Sequence, residues 1–572
     1  MAATPIPAAA TDWKQQFAKA ADEYFDQVYF RYAPSAGTMA GFHQYDGRLE
    51  DYSRQAIDDQ IAALHEFEHR IEAIRPDDSR ESFLPRSDRE IVLANIRSQL
   101  LTLETIRPWQ KDADNYSSAC ANGAFVLMER NFAPADDRLR SLIAREKQMP
   151  ALLVAARANL QNPPRVFTEI AIEQLPGIIA FFQHDVPEAF AAARNPALQS
   201  EFSQTNAAVI AALQDYLNWL RSDLLPRSRG DFRIGADAFR KKLEYDEMVD
   251  IPLDKLLEIG WADLRRNQQQ FKTIAAELEP GKDPSRVLLE LDEDHPAPGQ
   301  LLNVFRSTFD GLIAFIRANR IVTIPSDVRP ILEETPPFMR ATTTASMDTP
   351  GPYETHATEA YFNVTLPDPA MTPAEVEGYM HSFNIGTIIS TAVHEAYPGH
   401  YVQFLWLPQA PSKVRKLLGA NTNVEGWAHY CEQMMLDEGY GRPGAGAKDE
   451  RESKLLRLGQ LQDALLRNAR FIVGIEMHTG RMTMEQAEEF FQKEGYQSKE
   501  VAEVEAKRGA GDPTYLYYTL GKLEIMKLRE DVEKREGAAF SLEKFHDDFL
   551  RQGFPPIRIV RQAMLGDNSA TL

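Results

Sequence analysis

The chain has 572 residues, of which 44% are hydrophobic, 10% aromatic and 26% charged, so disordered, collagen-like and disulfide-scaffold classes are excluded. Lys plus Arg number 63 against 84 Asp plus Glu, a formal charge of −21, and such a surface repels the phosphates of nucleic acid. A usual domain size of about 150 residues predicts roughly four structural units, with one very large helical domain as the alternative.

The start, MAATPIPAAATDW, has no charged segment followed by a Leu-rich one, so it is not an intact signal peptide. Its Ala/Pro-rich character predicts a disordered stretch over residues 1–11. It reads as the beginning of an exported chain, periplasmic or secreted, whose signal has been removed; a cytoplasmic chain with a frayed start reads the same way. Two cysteines, Cys120 and Cys431, are too few and too distant for a cysteine-built zinc knuckle.

From 12 to 320 the pattern is one of successive amphipathic helices. Ile57, Ile61, Leu64, Phe67, Ile71 and Ile74, for example, recur at spacings of three and four and mark one buried stripe. Within this helix lies HEFEH, His65 to His69, which has the formal spacing of a zinc-protease motif. Its histidines fall off the apolar stripe and Glu68 and Arg70 crowd it with charge. A solvated helix face is expected there, since a catalytic metal needs a dry, shaped site.

Residues 321–371 change character, with IVTIP and TEAYFNVTLP set among prolines and threonines, and predict a small β-sheet near residues 320–367. Tyr361 and Asn363 share one face of the second piece and would contact a peptide substrate if that strand offered an exposed edge. Helical periodicity resumes over 372–572. The fold expected is mostly α, with a small sheet between two helical regions. Even the most apolar stretches, such as Phe383 to Val393, are too short for a bilayer span of about 20 residues, so no transmembrane segment is expected.

The second helical region carries the chemistry. Half of the twelve histidines fall between His356 and His478. From Ser382 to Val393 there is no charged residue, so the helix bearing His394 and Glu395 should be buried, and a buried His–Glu pair is costly without a partner such as a metal ion. The difficulty is the spacing in HEAYPGH. At about 100° per residue, six residues turn through roughly 600°, which leaves His400 about 120° from the face of His394 on an ideal helix. The helix must therefore end, kink or bulge between Tyr397 and His400, at the Pro398–Gly399 pair.

A third ligand is expected from NTNVEGWAHYCEQMMLDEG, where Glu425, His429 and Glu432 share a helix face. Glu425 is the choice, because two His and one Glu form a catalytic zinc set that leaves a position open; His429 and Glu432 would orient the ligands. Further on, Tyr518 and His478 are the candidate donors to a developing oxyanion, and Arg467 and Arg470 candidate substrate contacts. The plainer alternatives are Tyr515, Tyr517 and Tyr518 all as amphipathic core residues and His478 as a helix-end cation.

HEAYPGH, EGWAHYCE and the run Tyr518-Thr-Leu-Gly-Lys-Leu-Glu-Ile together resemble the bacterial domain-of-unknown-function 885 family, in order and spacing over nearly the whole chain. That family resembles helical zincin-type metallopeptidases of the gluzincin kind. The resemblance implies a deep cleft in a helical zincin-like architecture, one Zn²⁺ per chain, and frequent export or lipid anchoring. It implies His394, His400 and Glu425 as zinc ligands, Glu395 as the base that activates water, and Tyr518 at the family's late tyrosine. Two departures stand out: Tyr401 replaces a frequent second histidine, and GIEMH at 474–478 replaces DTGxH, which keeps His478 but loses an aspartate.

The resulting expectation is a zinc-dependent hydrolase that cleaves peptide bonds, with Glu395 as general base. A metallohydrolase of non-peptide amides or esters, and a non-catalytic helical binding protein on the same scaffold, are the alternatives. Retention of Glu395 beside a complete ligand set weighs against the second.

Overall fold

The computed structural model describes residues 12–572 except 78, 80, 81, 336–339, 341 and 342. The expectation of a disordered 1–11 thus falls outside the described residues. Helices dominate, as the periodicity predicts. In chain order, those that matter for the site are α1 (Arg54–Ala73), α2 (Phe83–Leu100), α3 (Gly235–Glu247), α4 (Leu253–Leu278) and α5 (Leu301–Ala318). Three strands follow, β1 (Ile331–Glu334), β2 (Ala345–Asp348) and β3 (Tyr361–Val364). Then come α6 (Ile385–Glu395), α7 (His400–Trp406), α8 (Asn421–Asp437), α9 (Glu450–His478), α10 (Lys499–Gly511) and α11 (Tyr517–Glu536). Among the described residues no helix is long and apolar enough to cross a membrane.

The expected stripe on α1 is buried through Ile57, Leu64, Phe67 and Ile71. The sheet is where expected, but IVTIP itself forms no strand. Its strand order is β1-β3-β2, with β1 parallel and β2 antiparallel to β3. β3 is therefore the central strand and β2 an edge. Phe362 and Val364 of β3 are buried with Phe305 and Phe309 of α5, Ile388 and Ala392 of α6, and Trp427 and Met434 of α8. One apolar cluster thus backs both the sheet and the two helices that carry the HEAYPGH and EGWA motifs. A second joins Leu256, Leu264 and Phe271 of α4 to Leu458, Leu465 and Ile472 of α9, packing the N-terminal half against the C-terminal one.

Two helix starts show how the sequence sets the frame. At α6, Asn384 caps the first turn by accepting from the Thr387 amide at 2.9 Å, a strongly preferred use of Asn. At α8 the preceding residue is Ala420, which has no capping atom. Its place is taken by Glu247 of α3, which accepts from the Asn421 and Thr422 amides at 3.2 and 2.8 Å and from the Thr422 hydroxyl at 2.7 Å.

Glycines set the closest approaches. Gly426 of α8 lies against Gly521 of α11, where a Cβ on Gly521 would stand 2.0 Å from the Thr422 carbonyl oxygen. Gly386 of α6 meets Gly459 of α9 in the same way, a Cβ on either falling 3.0 Å or less from the other's Cα. These crossings draw together the helices that carry Glu425, Tyr518, His394 and Arg467.

Candidate metal centre and its cavity

The break in HEAYPGH comes at residues 396–399. α6 ends at Glu395 and α7 begins at His400. Between them the chain folds back on itself: the Tyr397 amide donates to Ala392 O and the Gly399 amide to Val393 O, each at 3.0 Å, and the Tyr397–Pro398 peptide is cis. Gly399 lies so close to the end of α6 that a Cβ there would stand 1.8 Å from the His394 carbonyl oxygen. The turn is fastened from α8 by Trp427, whose indole N–H donates to Pro398 O at 3.0 Å. This is a role for the Trp of EGWA that the sequence did not reveal.

The fold-back cancels the angular mismatch. The His394 and His400 rings sit 4.8 Å apart at 89°. Glu425, on the second turn of α8, places Oε2 3.4 Å from His394 Nε2 and 3.5 Å from His400 Nε2. One donor atom from each of the three residues lies within 4.8 Å of the others. Zinc bonds of about 2.0–2.2 Å in a tetrahedron put neighbouring ligand atoms about 3.3–3.6 Å apart, and the two Glu425 separations match that edge. Glu425 Oε2 is buried without a hydrogen-bond donor, which is costly for a carboxylate unless a cation meets it. The donor set and its orphaned oxygen fit a divalent ion.

A buried acid stands behind the triangle. Glu432, one helical turn from His429, accepts from His394 Nδ1 at 2.6 Å and His429 Nδ1 at 3.1 Å, and pairs with Arg467 Nη2 at 3.3 Å. The first bond puts the proton of a neutral His394 on Nδ1, which turns the Nε2 lone pair towards Glu425. Burial alone would make His394 less basic, but Glu425 and Glu432 outweigh it and lift its pKa to about 10. Burial likewise opposes ionisation of Glu432, yet Arg467 and the two imidazoles hold its pKa well below the usual carboxylate range. His429 itself is pushed down to about 4, chiefly by burial.

The triangle opens into a cavity of about 550 Å³ between β2, α6, α8, α9, α10 and α11. Glu395 lines it, with one carboxylate oxygen accepting from the Met347 amide of β2 at 3.2 Å. Tyr518, at the start of α11, lines it as well. Its hydroxyl accepts from Arg508 Nη2 at 3.1 Å, which leaves the phenol proton free to donate elsewhere. Burial and the Glu425 charge raise the Tyr518 pKa, so the phenol stays protonated. Tyr517 instead donates to Asp512 at 2.7 Å and Tyr515 is fully buried. Arg467 and Arg470 also reach the cavity, their guanidiniums 5.6 and 5.1 Å from the centre of the Tyr518 ring.

Two expectations need correction. His478 is not among the residues lining this cavity: its Nε2 donates to Gly509 O at 2.8 Å, its Nδ1 accepts from the Ile234 amide at 3.4 Å, and its pKa falls to about 4 through burial. Both ring nitrogens are committed to holding helices together, so it has no proton to offer an oxyanion. Tyr361 and Asn363 belong to β3, which is paired on both sides and offers no edge. The edges are β1 and β2, and it is β2 that lines the cavity. Thr344 O accepts from the Thr365 amide, so residues 344 and 346 direct their backbone groups at β3 while 345 and 347 direct theirs at the cavity. ASMD does alternate apolar and polar residues, but Ala and Asp are weak strand formers and four residues are too few to announce a strand.

The HEFEH segment behaves as a solvated face. The His65 side chain is 44% exposed and its Nε2 lies 3.0 Å from Glu104. His69 lines a separate surface concavity with Glu72, Arg75, Arg89 and Arg97. A further group, His295, Glu377 and His381, also has donor atoms in reach of one another, but Glu377 is 64% exposed and His295 Nδ1 is tied to Pro296 O.

The chain belongs to the family described as bacterial proteins of unknown function, DUF885, whose model matches residues 34–564. Among solved structures it is similar to a candidate lipoprotein of unknown function from Shewanella oneidensis, at 27% identity and a TM-score of 0.79 over 98% of this chain and 100% of that one. It is also similar to a candidate lipoprotein from Colwellia psychrerythraea, at 19% identity and a TM-score of 0.81 over 97% and 99% of the two chains. No curated protein matches it.

Proposed function

We propose that this protein is a metal-dependent hydrolase of peptide bonds, zinc being the ion that the donor set suits best, with a helical zincin-like arrangement around the cavity. The observation that carries the reading is the triangle of His394, His400 and Glu425, at tetrahedral-edge separations and with a buried carboxylate oxygen that meets no donor. A divalent ion bound there supplies positive charge that polarises a carbonyl and acidifies water.

The protein's own groups would do the rest. Glu395, adjacent in sequence to the first ligand and facing the same cavity, takes a proton from the attacking water and returns it to the leaving amine. Tyr518 donates its free phenol proton to the developing oxyanion while Arg508 holds its oxygen in place. Peptide is favoured over other amides and esters by the edge of β2. Along the cavity wall the Met347 amide donates to Glu395 and Ala345 O accepts from the Thr343 hydroxyl, which leaves the Ala345 amide and Met347 O as the outward groups with which an extended chain would pair as a strand. The likeness to two candidate lipoproteins supports export.

The test is metal analysis of the purified protein, coupled to turnover of a mixed peptide library. Wild type should carry one zinc per chain and cleave; His394→Ala should lose the metal. Glu395→Gln should stay folded and zinc-loaded with activity reduced at least about 100-fold. Full metal occupancy in His394→Ala, or near-normal turnover by Glu395→Gln, would sink the reading.

A further inference from the structure

The cavity is lined by two chemically different groups of residues. One is the metal-donor triangle with Glu395; the other is three arginines around Tyr518, with Arg467, Arg470 and Arg508 at 5.6, 5.1 and 6.0 Å from the centre of its ring. All three line the cavity. Two are neutralised. Arg470 makes a two-pronged pair with Glu505 at 2.6 and 2.7 Å, and Arg467 lies 3.3 Å from Glu432 and 3.8 Å from Asp463.

Arg508 differs from them. It sits in the last turn of α10, exposed to solvent, and among the described residues no carboxylate forms an ion pair with it. The phenol of Tyr518 takes one of its five N–H donors. Beside it, Arg467 Nε is buried and meets no acceptor. A guanidinium fork in no direct ion pair, with Glu505 acting on it only at longer range, and an orphaned, buried N–H on the same wall are what a small planar anion would satisfy.

We infer that this wall binds the free carboxylate of a short peptide, with Arg508 as the principal anchor, so that cleavage falls close to the substrate's C-terminus. The inference rests on the hydrolase reading above and names its substrate class. Size agrees with it. A cavity of about 550 Å³ is roughly 10 Å across if equant, and an extended peptide advances about 3.3–3.6 Å per residue, so two or three residues fill it. Charge agrees too: among the described residues the acids that meet these arginines are engaged, Glu505 with Arg470, Glu432 with Arg467 and His394, and Asp463 with the Ser390 hydroxyl at 2.6 Å. Among the described residues the one acid lining this cavity with an orphaned oxygen is Glu425, which belongs to the metal-donor triangle.

The test compares short peptides with a free C-terminal carboxylate against the same peptides as C-terminal amides. Turnover is followed on the zinc-loaded wild type, and binding by calorimetry on zinc-loaded Glu395→Gln. The free acid should be preferred about 10- to 100-fold in kcat/KM and in Kd, the usual worth of a charge-assisted pair. Arg508→Gln should reduce that preference to within about threefold, and Arg508→Lys should keep part of it.

Equal use of acid and amide by wild type overturns the inference and leaves the hydrolase reading intact. So does an Arg508→Gln variant that loses kcat equally on both peptides with the preference preserved, since Arg508 would then only position Tyr518. Cleavage of neither peptide by the zinc-loaded protein refutes the hydrolase reading and this inference with it. Should Arg508→Gln fail to fold, the acid–amide comparison on wild type decides the matter alone.

Discussion

Gly399 is the residue on which the metal triangle depends most steeply. It lets the chain pass directly over the end of α6, and a Cβ in its place would stand 1.8 Å from the His394 carbonyl oxygen and 2.4 Å from that of Val393. Ordinary contact is about 3.4 Å, so Gly399→Ala must separate the end of α6 from the start of α7 by about 1.5 Å. Overpacking of this kind costs about 1–3 kcal/mol in stability. The effect on metal binding should be larger, because ligand distances tolerate only about 0.2 Å and His400 follows Gly399 immediately. We expect zinc affinity to fall by about 100-fold or more while the helical content is kept. Competition with a chromophoric chelator measures the affinity and circular dichroism the fold. Gly378→Ala, at a helical position where a Cβ meets nothing within 4 Å, is the control and should change neither. If Gly399→Ala held zinc within about threefold of wild type, the account of how His400 is brought to His394 would be wrong.

Two further outcomes are expected. Tyr518→Phe should lower kcat about 10²- to 10³-fold with zinc content unchanged, whereas Tyr517→Phe, whose hydroxyl is spent on Asp512, should leave turnover near normal; equal activity of the two variants would return Tyr518 to a packing role. Glu146, nearly buried and accepting from the Thr205 hydroxyl, has its pKa pushed up by burial to about 8. A carboxyl whose folded pKa lies above its unfolded value of about 4.5 favours the folded state below that value and loses the contribution as pH rises through about 8. Glu146→Gln should therefore gain in Tm over wild type as pH is raised from 5 to 9, and a pH-independent difference would show that Glu146 is ionised throughout.

The sequence was most legible where chemistry and periodicity coincide. Six residues between two histidines is incompatible with one straight helix, and Pro398–Gly399 is the only pair in the segment able to relieve it, so the break follows from the spacing itself. Its start, one residue earlier than Tyr397, does not, because it depends on the Ala392 and Val393 carbonyls finding donors in the Tyr397 and Gly399 amides. Edge and centre of a sheet are likewise properties of partners: TEAYFNVT reads as a strand, but the choice between β2 and β3 as the free edge was made by β1, whose parallel pairing is non-local. His478 was misjudged for the same reason, since the acceptor that claims its proton, Gly509 O, arrives on another helix. Arg508 lay in an unremarked charged run, and only the fold places it over Tyr518.

The cap on α8 bears on how such a site can be inherited. The helix that supplies Glu425 and Glu432 begins on amides satisfied by Glu247, and the helix that supplies Tyr518 carries Lys522, buried 3.4 Å from Asp263 of α4. Both acids belong to the first half of the chain, whose motifs have no part in the chemistry. Removing that half would strand buried N–H groups at about 1–3 kcal/mol each and leave an interior ammonium without its counter-ion. The C-terminal region, although it contains every proposed ligand, is therefore not a transplantable module. The first three hundred residues serve it as a mould.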